Sequence, residues 1–333
     1  MKFLVTGAAG FIGSATAARL CEAGYQVLGI DNLNDYYDPR LKLDRLASLL
    51  EGPLFEFKEM DIADRQAMTK LFEEHQFDRV IHLAAQAGVR YSIENPMSYI
   101  DSNLVGMANV LEGCRHNKVE HLVFASSSSV YAMNEKIPFS EDDAVDHPVS
   151  LYAATKKSNE LMAHSYAHLY NIPVTGLRFF TVYGPWGRPD MAPFLFTDAI
   201  MNDQPIKVFN HGKMLRDFTY IDDIVEGVMR VQALAPKTDA SDLLNSPATA
   251  RAPYQILNIG NNEPIELSRF ISAIETACAK KAEKIMMPMQ AGDVPRTFAD
   301  IDRLHSLTGF VPKTSIESGM LKFVAWYKSY YKD

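Results

Sequence analysis

The first half of the chain alternates short, almost continuous apolar runs with longer segments of helical periodicity. The apolar runs predict six strands, at residues 2–6, 25–30, 54–58, 79–85, 121–127 and 172–180. The periodic segments predict helices at residues 11–23, 63–75, 96–117 and 150–170. Asp64 and Ser150 stand where N-caps are expected. Strands that are apolar on both faces are typical of a parallel sheet covered by helices. We therefore predict an α/β fold with a doubly wound parallel sheet, whose ligands lie beyond the carboxyl ends of the strands.

The alternation stops after about residue 180. Glycine, proline and aromatic residues accumulate over 181–196, and residues 235–253 have the composition of an exposed loop. We therefore expect a first domain over 1–180, which a segment at about 217–234 rejoins. The remainder, 181–333, is expected to form a smaller C-terminal lobe that mainly binds substrate.

Composition narrows the class of protein. The 333 residues carry a net charge of −8 without a dense Lys/Arg cluster, so we expect no nucleic-acid partner. No apolar run reaches the length of a membrane span, so we expect no membrane association. The three cysteines are far apart and form no CxxC motif, which favours a reducing, cytoplasmic location and no metal site.

A glycine motif follows the first strand directly. Gly7, Gly10 and Gly13 have GxxGxxG spacing, a variant of the dinucleotide-binding fingerprint. Such glycines allow a sharp turn and a close approach of pyrophosphate to the N-terminus of a helix. We expect Phe11 and Ile12, in the first turn of that helix, to contact the cofactor as well. The alternative is an ordinary strand-to-helix turn.

An acidic residue ends the second strand. Asp31 lies 18 residues after Gly13, where a carboxylate can accept hydrogen bonds from the adenosine ribose. The same carboxylate would repel a 2′-phosphate, which favours NAD over NADP and a Rossmann-type domain. The alternative for Asp31 is a turn carboxylate. Further cofactor contacts are expected after the second, third and fourth strands, at Asn32, Asp61, Ile62, Leu83, Ala84 and Ala85.

Tyr152 and Lys156 are four residues apart on one predicted helix and therefore share a face. A tyrosine hydroxyl ordinarily has a pKa near 10. We expect the Lys156 ammonium and a cationic nicotinamide to lower it, so that Tyr152 removes a proton from a substrate hydroxyl while hydride leaves the same carbon. Lys156 would also hold the nicotinamide ribose. The alternative is a surface Tyr–Lys pair.

Four consecutive serines, residues 126–129, end the fifth strand. If the strand persists, Ser127 and Ser129 point to one face, and Ser126 and Ser128 to the other. We predict that Ser127 and Ser129 donate to the reacting oxygen. The alternative is a satisfied polar turn. The stretch contains no acid.

Together these motifs resemble the extended short-chain dehydrogenases/reductases, in particular the nucleotide-sugar epimerases and dehydratases, over essentially the whole chain. Five segments resemble the UDP-glucuronate 4-epimerases: 31–42, 88–96, 178–192, 216–224 and 289–300. The resemblance implies NAD-dependent 4-epimerisation of a UDP-sugar through a 4-keto intermediate. It also implies a homodimer formed by the helices at 96–117 and 150–170. One departure is Ala132, where the family usually has glycine; this changes a turn and no reacting group.

The resemblance also implies the substrate contacts. Thr181 and Arg188 are expected at the C5 carboxylate of the sugar, which a guanidinium suits because its donors can pair with both oxygens. Ser127 and Ser128 are expected at the sugar, and Arg216 and Asp293 at the UDP diphosphate and ribose. Arg90 is a possible substrate or cofactor contact, with a structural ion pair as the alternative.

Rival functions remain open. Dehydratases of the group carry Asp–Glu, and decarboxylases a Glu, at the position of the serines, where this chain has only hydroxyls. A UDP-glucose 4-epimerase would have asparagine in place of Thr181. A non-catalytic NAD-binding regulator often lacks the Tyr–Lys pair. A metal hydrolase is the weakest alternative, since His164 and His168 are four apart but lack a third ligand.

Overall fold

The computed structural model describes residues 1–238, 251–289 and 294–332. Its strands are β1 (Lys2–Thr6), β2 (Gln26–Asp31), β3 (Phe55–Glu59), β4 (Arg79–His82), β5 (His121–Ser127), β6 (Val174–Phe179), β7 (Thr181–Tyr183), β8 (Ile206–Val208), β9 (Leu215–Tyr220), β10 (Tyr254–Ile259), β11 (Pro264–Glu266) and β12 (Lys284–Met286). Its α-helices are α1 (Phe11–Glu22), α2 (Pro39–Leu49), α3 (Arg65–Glu74), α4 (Tyr91–Glu94), α5 (Pro96–Tyr99), α6 (Gly106–Asn117), α7 (Leu151–Tyr170), α8 (Ala192–Met201), α9 (Ile221–Gln232), α10 (Leu267–Cys278), α11 (Asp302–Thr308) and α12 (Ile316–Tyr331).

A central parallel sheet organises the molecule. Within the described residues it has seven strands in the order β10-β6-β5-β4-β1-β2-β3. The order reverses beside β1, which is the switch point where doubly wound folds bind their ligands. The predicted parallel sheet is confirmed. The sequence pattern identified six of its strands; the seventh, β10, comes from the C-terminal half and pairs with β6.

Successive residues of each strand point to opposite faces of the sheet, and each face buries its own core. Leu4 and Leu122 pack with side chains of α3, α6 and α7. Phe3, Val5 and Val123 pack with side chains of α1 and α9 on the other face. Both faces are therefore covered by helices, as the continuous apolar strands predicted.

Two predicted helix starts are confirmed, and one predicted helix is interrupted. Asp64 accepts a hydrogen bond from the Ala67 amide (3.0 Å), and Ser150 accepts one from the Ala153 amide (3.1 Å). The segment predicted as one helix over 96–117 consists of α5, a π-helical turn at Ile100–Val105, and α6. Asn103 in this turn is buried and bonds Gln86 and Thr155, partners distant in the chain that the local periodicity does not show.

The remaining elements build a lobe beside the carboxyl ends of the sheet strands. β11, β9 and β7 form one small sheet, and β12 pairs with β8. They share an apolar core with α8, α10 and α12. The predicted exposed loop at 235–253 lies mostly outside the described residues. Among the described residues, none of the helices has the length and hydropathy that a membrane crossing requires.

Candidate active site

A cleft of about 760 Å³ lies between the carboxyl edge of the central sheet and the smaller lobe. Predicted cofactor residues line one side of it, namely Gly7, Gly10, Phe11, Ile12, Gly13, Asp31, Asn32, Ile62, Leu83, Ala84 and Ala85. Predicted catalytic and substrate residues line the rest, namely Arg90, Ser127, Ser128, Ser129, Tyr152, Lys156, Thr181, Arg188 and Arg216. The structure thus gathers residues that are up to 209 positions apart in the chain, from Gly7 to Arg216.

The turn after β1 is so tightly packed that two of its positions require glycine. Gly7 has a φ of +73°, and a Cβ there would lie 2.7 Å from the Ala84 amide nitrogen. A Cβ on Gly13 would lie 1.9 Å from the Gly7 carbonyl oxygen. Only glycine fits these two positions, and the turn delivers the N-terminus of α1 to the cleft. Such a cradle fits the pyrophosphate of a dinucleotide.

Asp31 lies at the end of β2, beside this turn. Its carboxylate accepts hydrogen bonds from the amides of Leu33 (2.9 Å) and Ala9 (3.3 Å). The Lys42 ammonium lies 3.7 Å from the same carboxylate, and burial lowers the pKa of Lys42 below its ordinary value. Lys42 was not predicted, because no helix was expected where α2 lies. The carboxylate and the glycine cradle together fit NAD.

Asp61 supports the adenosine side indirectly. Its carboxylate accepts a hydrogen bond from the Asn32 side-chain amide (3.0 Å). It also accepts one from the amide of Ala63 (2.8 Å). Asp61 therefore fixes Asn32, which itself lines the cleft. A direct contact of Asp61 with the cofactor stays a prediction.

The four serines divide into two environments. Ser126 is buried and donates to the Glu160 carboxylate (2.7 Å), which is paired with Arg178 (2.8 Å). Strand β5 ends at Ser127, and a 3₁₀ turn begins at Ser128. The strand does not persist as the alternation argument required. Ser127 and Ser129 nevertheless meet, because the turn brings their hydroxyls to 3.1 Å.

This turn ends at Ala132, which has φ +51° and ψ −118°. Residues with side chains rarely adopt this backbone conformation, whereas glycine does so readily. The departure noted in the sequence therefore places an alanine in a conformation that favours glycine.

Tyr152 and Lys156 project from the first turns of α7 toward the serine turn. Burial raises the pKa of Tyr152 above its ordinary value; a side-chain hydrogen bond with Ser127 and the charge of Arg188 lower it but do not outweigh burial, so the lowered pKa expected from the sequence is not found. Burial lowers the pKa of Lys156 to about 8, and its ammonium donates to the Ala125 carbonyl oxygen (2.9 Å). The cation that favours the phenolate in this structure is thus Arg188, whereas the sequence analysis assigned that effect to Lys156.

Arg188 is held by two residues that the sequence analysis did not single out. Its Nε and Nη2 donate to the Asp190 carboxylate, at 2.9 and 2.5 Å. The Tyr36 hydroxyl donates to the same carboxylate (3.0 Å). Burial raises the pKa of Asp190, but the hydrogen bonds and charge of Arg188 outweigh burial, so the net pKa is below the ordinary value. Asp190 could have been found from the motif, since it lies two residues after Arg188.

The outer end of the cleft is cationic and aromatic. Lys207, Phe209 and Arg216 line it, and the Arg90 guanidinium lies 5.8 Å from the centroid of the Phe209 ring. Lys207 and Phe209 were not predicted. Asp293 lies outside the described residues.

His164 and His168 lie on α7, with their rings stacked 6.4 Å apart. His164 also packs edge-on against the ring of Tyr254 (5.1 Å). In the described ranges, no cluster of three or more His, Cys, Asp or Glu side chains has the geometry to hold a metal ion.

A family model and the sequences of known proteins match this chain over most of its length. The model of the NAD dependent epimerase/dehydratase family matches residues 3–245. The chain is 54% identical over 334 residues to Protein CapI from Staphylococcus aureus, with 100% of both chains covered. It is 50% identical over 335 residues to a probable UDP-glucuronate 4-epimerase from Rhizobium meliloti (strain 1021), covering 100% of this chain and 98% of the relative.

A solved structure is similar over nearly the whole chain. It is the UDP-glucuronic acid 4-epimerase from Bacillus cereus in complex with UDP-glucuronic acid and NAD. The TM-score is 0.88 at 34% sequence identity, with 99% of this chain and 100% of that chain covered.

Proposed function

Since the chain belongs to the NAD-dependent epimerase/dehydratase family, we propose that it interconverts UDP-glucuronate and UDP-galacturonate at C4 of the sugar. One observation carries the proposal. The reactive end of the cleft combines Tyr152 and the serine hydroxyls with the guanidinium of Arg188. The hydroxyls can exchange a proton with the C4 oxygen and hydrogen-bond to it during oxidation and reduction, and the guanidinium can pair with the carboxylate of a uronic acid.

Tyr152 exchanges the proton of the C4 hydroxyl. Bound NAD supplies the hydride acceptor and donor for the same carbon. Ser127, whose side chain lowers the pKa of Tyr152, is placed to share the C4 oxygen and to stabilise charge on it. Lys156 holds its ammonium at the floor of the site, at the Ala125 carbonyl, where it binds the nicotinamide ribose. The 4-keto sugar then rotates about its diphosphate link, so that hydride returns to the opposite face of C4.

The carboxylate creates a hazard in this reaction. A ketone at C4 beside a carboxylate on C5 is a β-keto acid, which loses CO₂ when the breaking bond aligns with the carbonyl π system. Thr181 and Arg188 hold the carboxylate away from that alignment. Asp190 already occupies one edge of the guanidinium, formed by Nε and Nη2. The substrate carboxylate therefore binds through the remaining Nη1 edge, with Thr181 and Ser128 as hydroxyl donors.

The outer end of the cleft binds the nucleotide. Arg216 and Lys207 bring positive charge to the diphosphate, and the Phe209 ring offers an apolar face to the uracil. Arg90, which lies over the same ring, contacts the substrate beside it. Asp293 binds the UDP ribose. We place the cofactor domain at residues 1–180 with the returning segment at about 217–234, to which the structure adds β10, and assign the rest of 181–333 mainly to the substrate lobe.

We also propose that the protein is a cytoplasmic homodimer. The segments predicted to form the interface expose large apolar side chains at Met97, Leu161 and Leu169, and Ile93 of the preceding helix α4 is exposed as well. Each is more than half exposed, which is unusual for a surface that stays in water. Light scattering of the wild type and of Leu161→Glu tests the interface; a wild-type monomer contradicts it.

A comparison of two substrates tests the function. We expect the purified protein to convert UDP-glucuronate to UDP-galacturonate, followed by NMR, without added reductant and with a higher kcat/KM than for UDP-glucose. Arg188→Met should lose this preference and release a decarboxylated UDP-pentose, whereas Arg230→Met, at an exposed arginine on α9, should not.

Three outcomes would contradict the proposal. Preference for UDP-glucose indicates the neutral-sugar epimerase. A UDP-pentose from the wild type indicates a decarboxylase. No turnover of either sugar, with unaltered NAD binding in Tyr152→Phe, indicates a non-catalytic NAD-binding regulator.

A further inference from the structure

Arg45, on α2, is a fully buried arginine whose side chain is 0% exposed. Its Nη1 donates to the Ala9 carbonyl oxygen (3.0 Å) and to the Tyr37 hydroxyl (2.6 Å). Its Nε and Nη2 both donate to the Trp186 carbonyl oxygen, at 3.0 and 2.7 Å. All of these acceptors are uncharged. A buried guanidinium bonded in this way is costly to desolvate, so a role beyond packing is worth testing.

The three acceptors belong to three different segments of the cleft. Ala9 lies in the glycine turn that cradles the pyrophosphate. Tyr37 lies in the loop between β2 and α2, which begins at the adenosine side. Trp186 lies in the loop between β7 and α8, two residues before Arg188. Arg45 therefore connects the cofactor side of the cleft to the segment that presents the carboxylate-binding guanidinium.

The loop that carries Arg188 needs external support. Trp186 has a φ of +66° and Gly184 a φ of +144°. A bulky residue in the left-handed region is strained, because its Cβ lies too close to the following carbonyl oxygen. The Trp186 ring packs against Trp326 (5.4 Å) and Tyr330 (5.1 Å) of α12. The ring is thus anchored by α12 and the carbonyl by Arg45, and together they hold the turn in this conformation.

A second joint connects the same two loops. The Tyr36 hydroxyl donates to Asp190, and Asp190 accepts both Nε and Nη2 of Arg188. Tyr36 and Tyr37 are neighbours in the loop after β2, so this loop meets the Arg188 loop at two points. The Tyr36–Asp190 contact fixes the orientation of the Arg188 guanidinium, and the Arg45–Trp186 contact fixes the backbone that leads to Arg188.

We propose that Arg45 is a positioning residue that ties the glycine turn to the Arg188 loop, so that NAD retention and discrimination of glucuronate from glucose depend on it together. The inference rests on the proposed function for its substrate. Arginine suits the role because three nitrogens of its planar fork make four hydrogen bonds to three acceptors, whereas lysine has three donors on one compact ammonium.

The test uses Arg45→Met and Arg45→Lys, with Arg79→Lys as the matched control. Arg79 also donates to a backbone carbonyl, that of Gln232 (2.9 Å), but at the amino end of β4, away from the cleft. Each variant is combined with Tyr152→Phe to prevent turnover. Calorimetry then gives the Kd values of UDP-glucuronate and UDP-glucose, and the absorbance of released nucleotide gives the NAD content after dialysis.

We expect Arg45→Met to reduce the preference for UDP-glucuronate over UDP-glucose by about tenfold, because misplacing a binding group by a fraction of an ångström has effects of this order. The NAD content after dialysis should fall in the same variant. Arg45→Lys should show smaller changes of both quantities in the same direction, and Arg79→Lys should show neither. If Arg45→Met fails to fold, the decision rests on Arg45→Lys.

The proposal is overturned if the Arg45 variants melt at lower temperature but keep both the affinity ratio and the NAD content, since that is a purely structural role. It is equally overturned if only one of the two quantities changes, because the coupling is then absent. If the parent protein, in which Arg45 is unchanged, does not prefer UDP-glucuronate over UDP-glucose, the proposed function is refuted instead. The NAD content of the variants then still shows whether Arg45 supports the glycine turn.

Discussion

Replacing Lys156 with methionine should make the stability of the protein depend on pH in a different way. The Lys156 side chain is 3% exposed, and burial lowers the pKa of its ammonium from 10.5 to about 8. Methionine has a similar length and carries no charge. The variant therefore removes a buried cation while leaving the packing of α7 against β5 nearly intact.

The magnitude follows from the two pKa values. A fall from 10.5 to about 8 corresponds to about 3 kcal/mol of destabilisation while the ammonium is charged in both the folded and unfolded states. Because the folded-state pKa is the lower one, this destabilisation is complete below about pH 8 and disappears as pH rises toward 10.5. Loss of the bond to Ala125 offsets it by about 1–3 kcal/mol.

We therefore expect Lys156→Met without NAD to be as stable as the wild type, or up to about 2 kcal/mol more stable, near pH 7. Between about pH 7 and 9.5 the wild type should gain about 2 kcal/mol relative to the variant. Urea unfolding of both proteins at the two pH values measures the difference. Lys70→Met, at a largely exposed lysine, is the control. Parallel pH profiles of wild type and Lys156→Met would refute the reasoning.

Three further substitutions test individual parts of the site. Ser127→Ala should lower kcat about 10²-fold, because it removes the hydrogen bond that favours the Tyr152 phenolate. Ser126→Ala should cost about 1.5–3 kcal/mol in urea unfolding and spare kcat, because its hydroxyl bonds only the buried Glu160 carboxylate. The reverse pattern contradicts this division. Ala132→Gly should raise the unfolding free energy by about 1 kcal/mol by relieving the positive φ, and a lower melting temperature contradicts it.

The parts of the fold predicted from sequence are those specified by local pattern. The strands were found because each is apolar on both faces, and the glycine turn because steric exclusion at Gly7 and Gly13 demands that residue type. The family resemblance, the α/β fold and the NAD cofactor inferred from these motifs agree with the relatives found.

The parts that were missed depend on partners distant in the chain. Ser126 differs from Ser127 because Glu160, 34 residues away, accepts its hydroxyl. Arg188 has its orientation set by Asp190 together with Tyr36, which is 154 residues from Asp190. Lys42 went unnoticed because α2, the helix that presents it, was not predicted from the sequence. No local pattern carries this information, since it arises only when the loops are brought together.

The most direct test of the central claim follows the hydrogen on C4. UDP-glucuronate deuterated at C4 is incubated with the purified protein in ordinary water, and the UDP-galacturonate formed is analysed by NMR and mass spectrometry. A redox-neutral epimerisation, in which the hydrogen leaving C4 returns to C4, predicts that the product keeps the deuterium at that carbon. Product that has exchanged its C4 deuterium for solvent hydrogen would contradict the account.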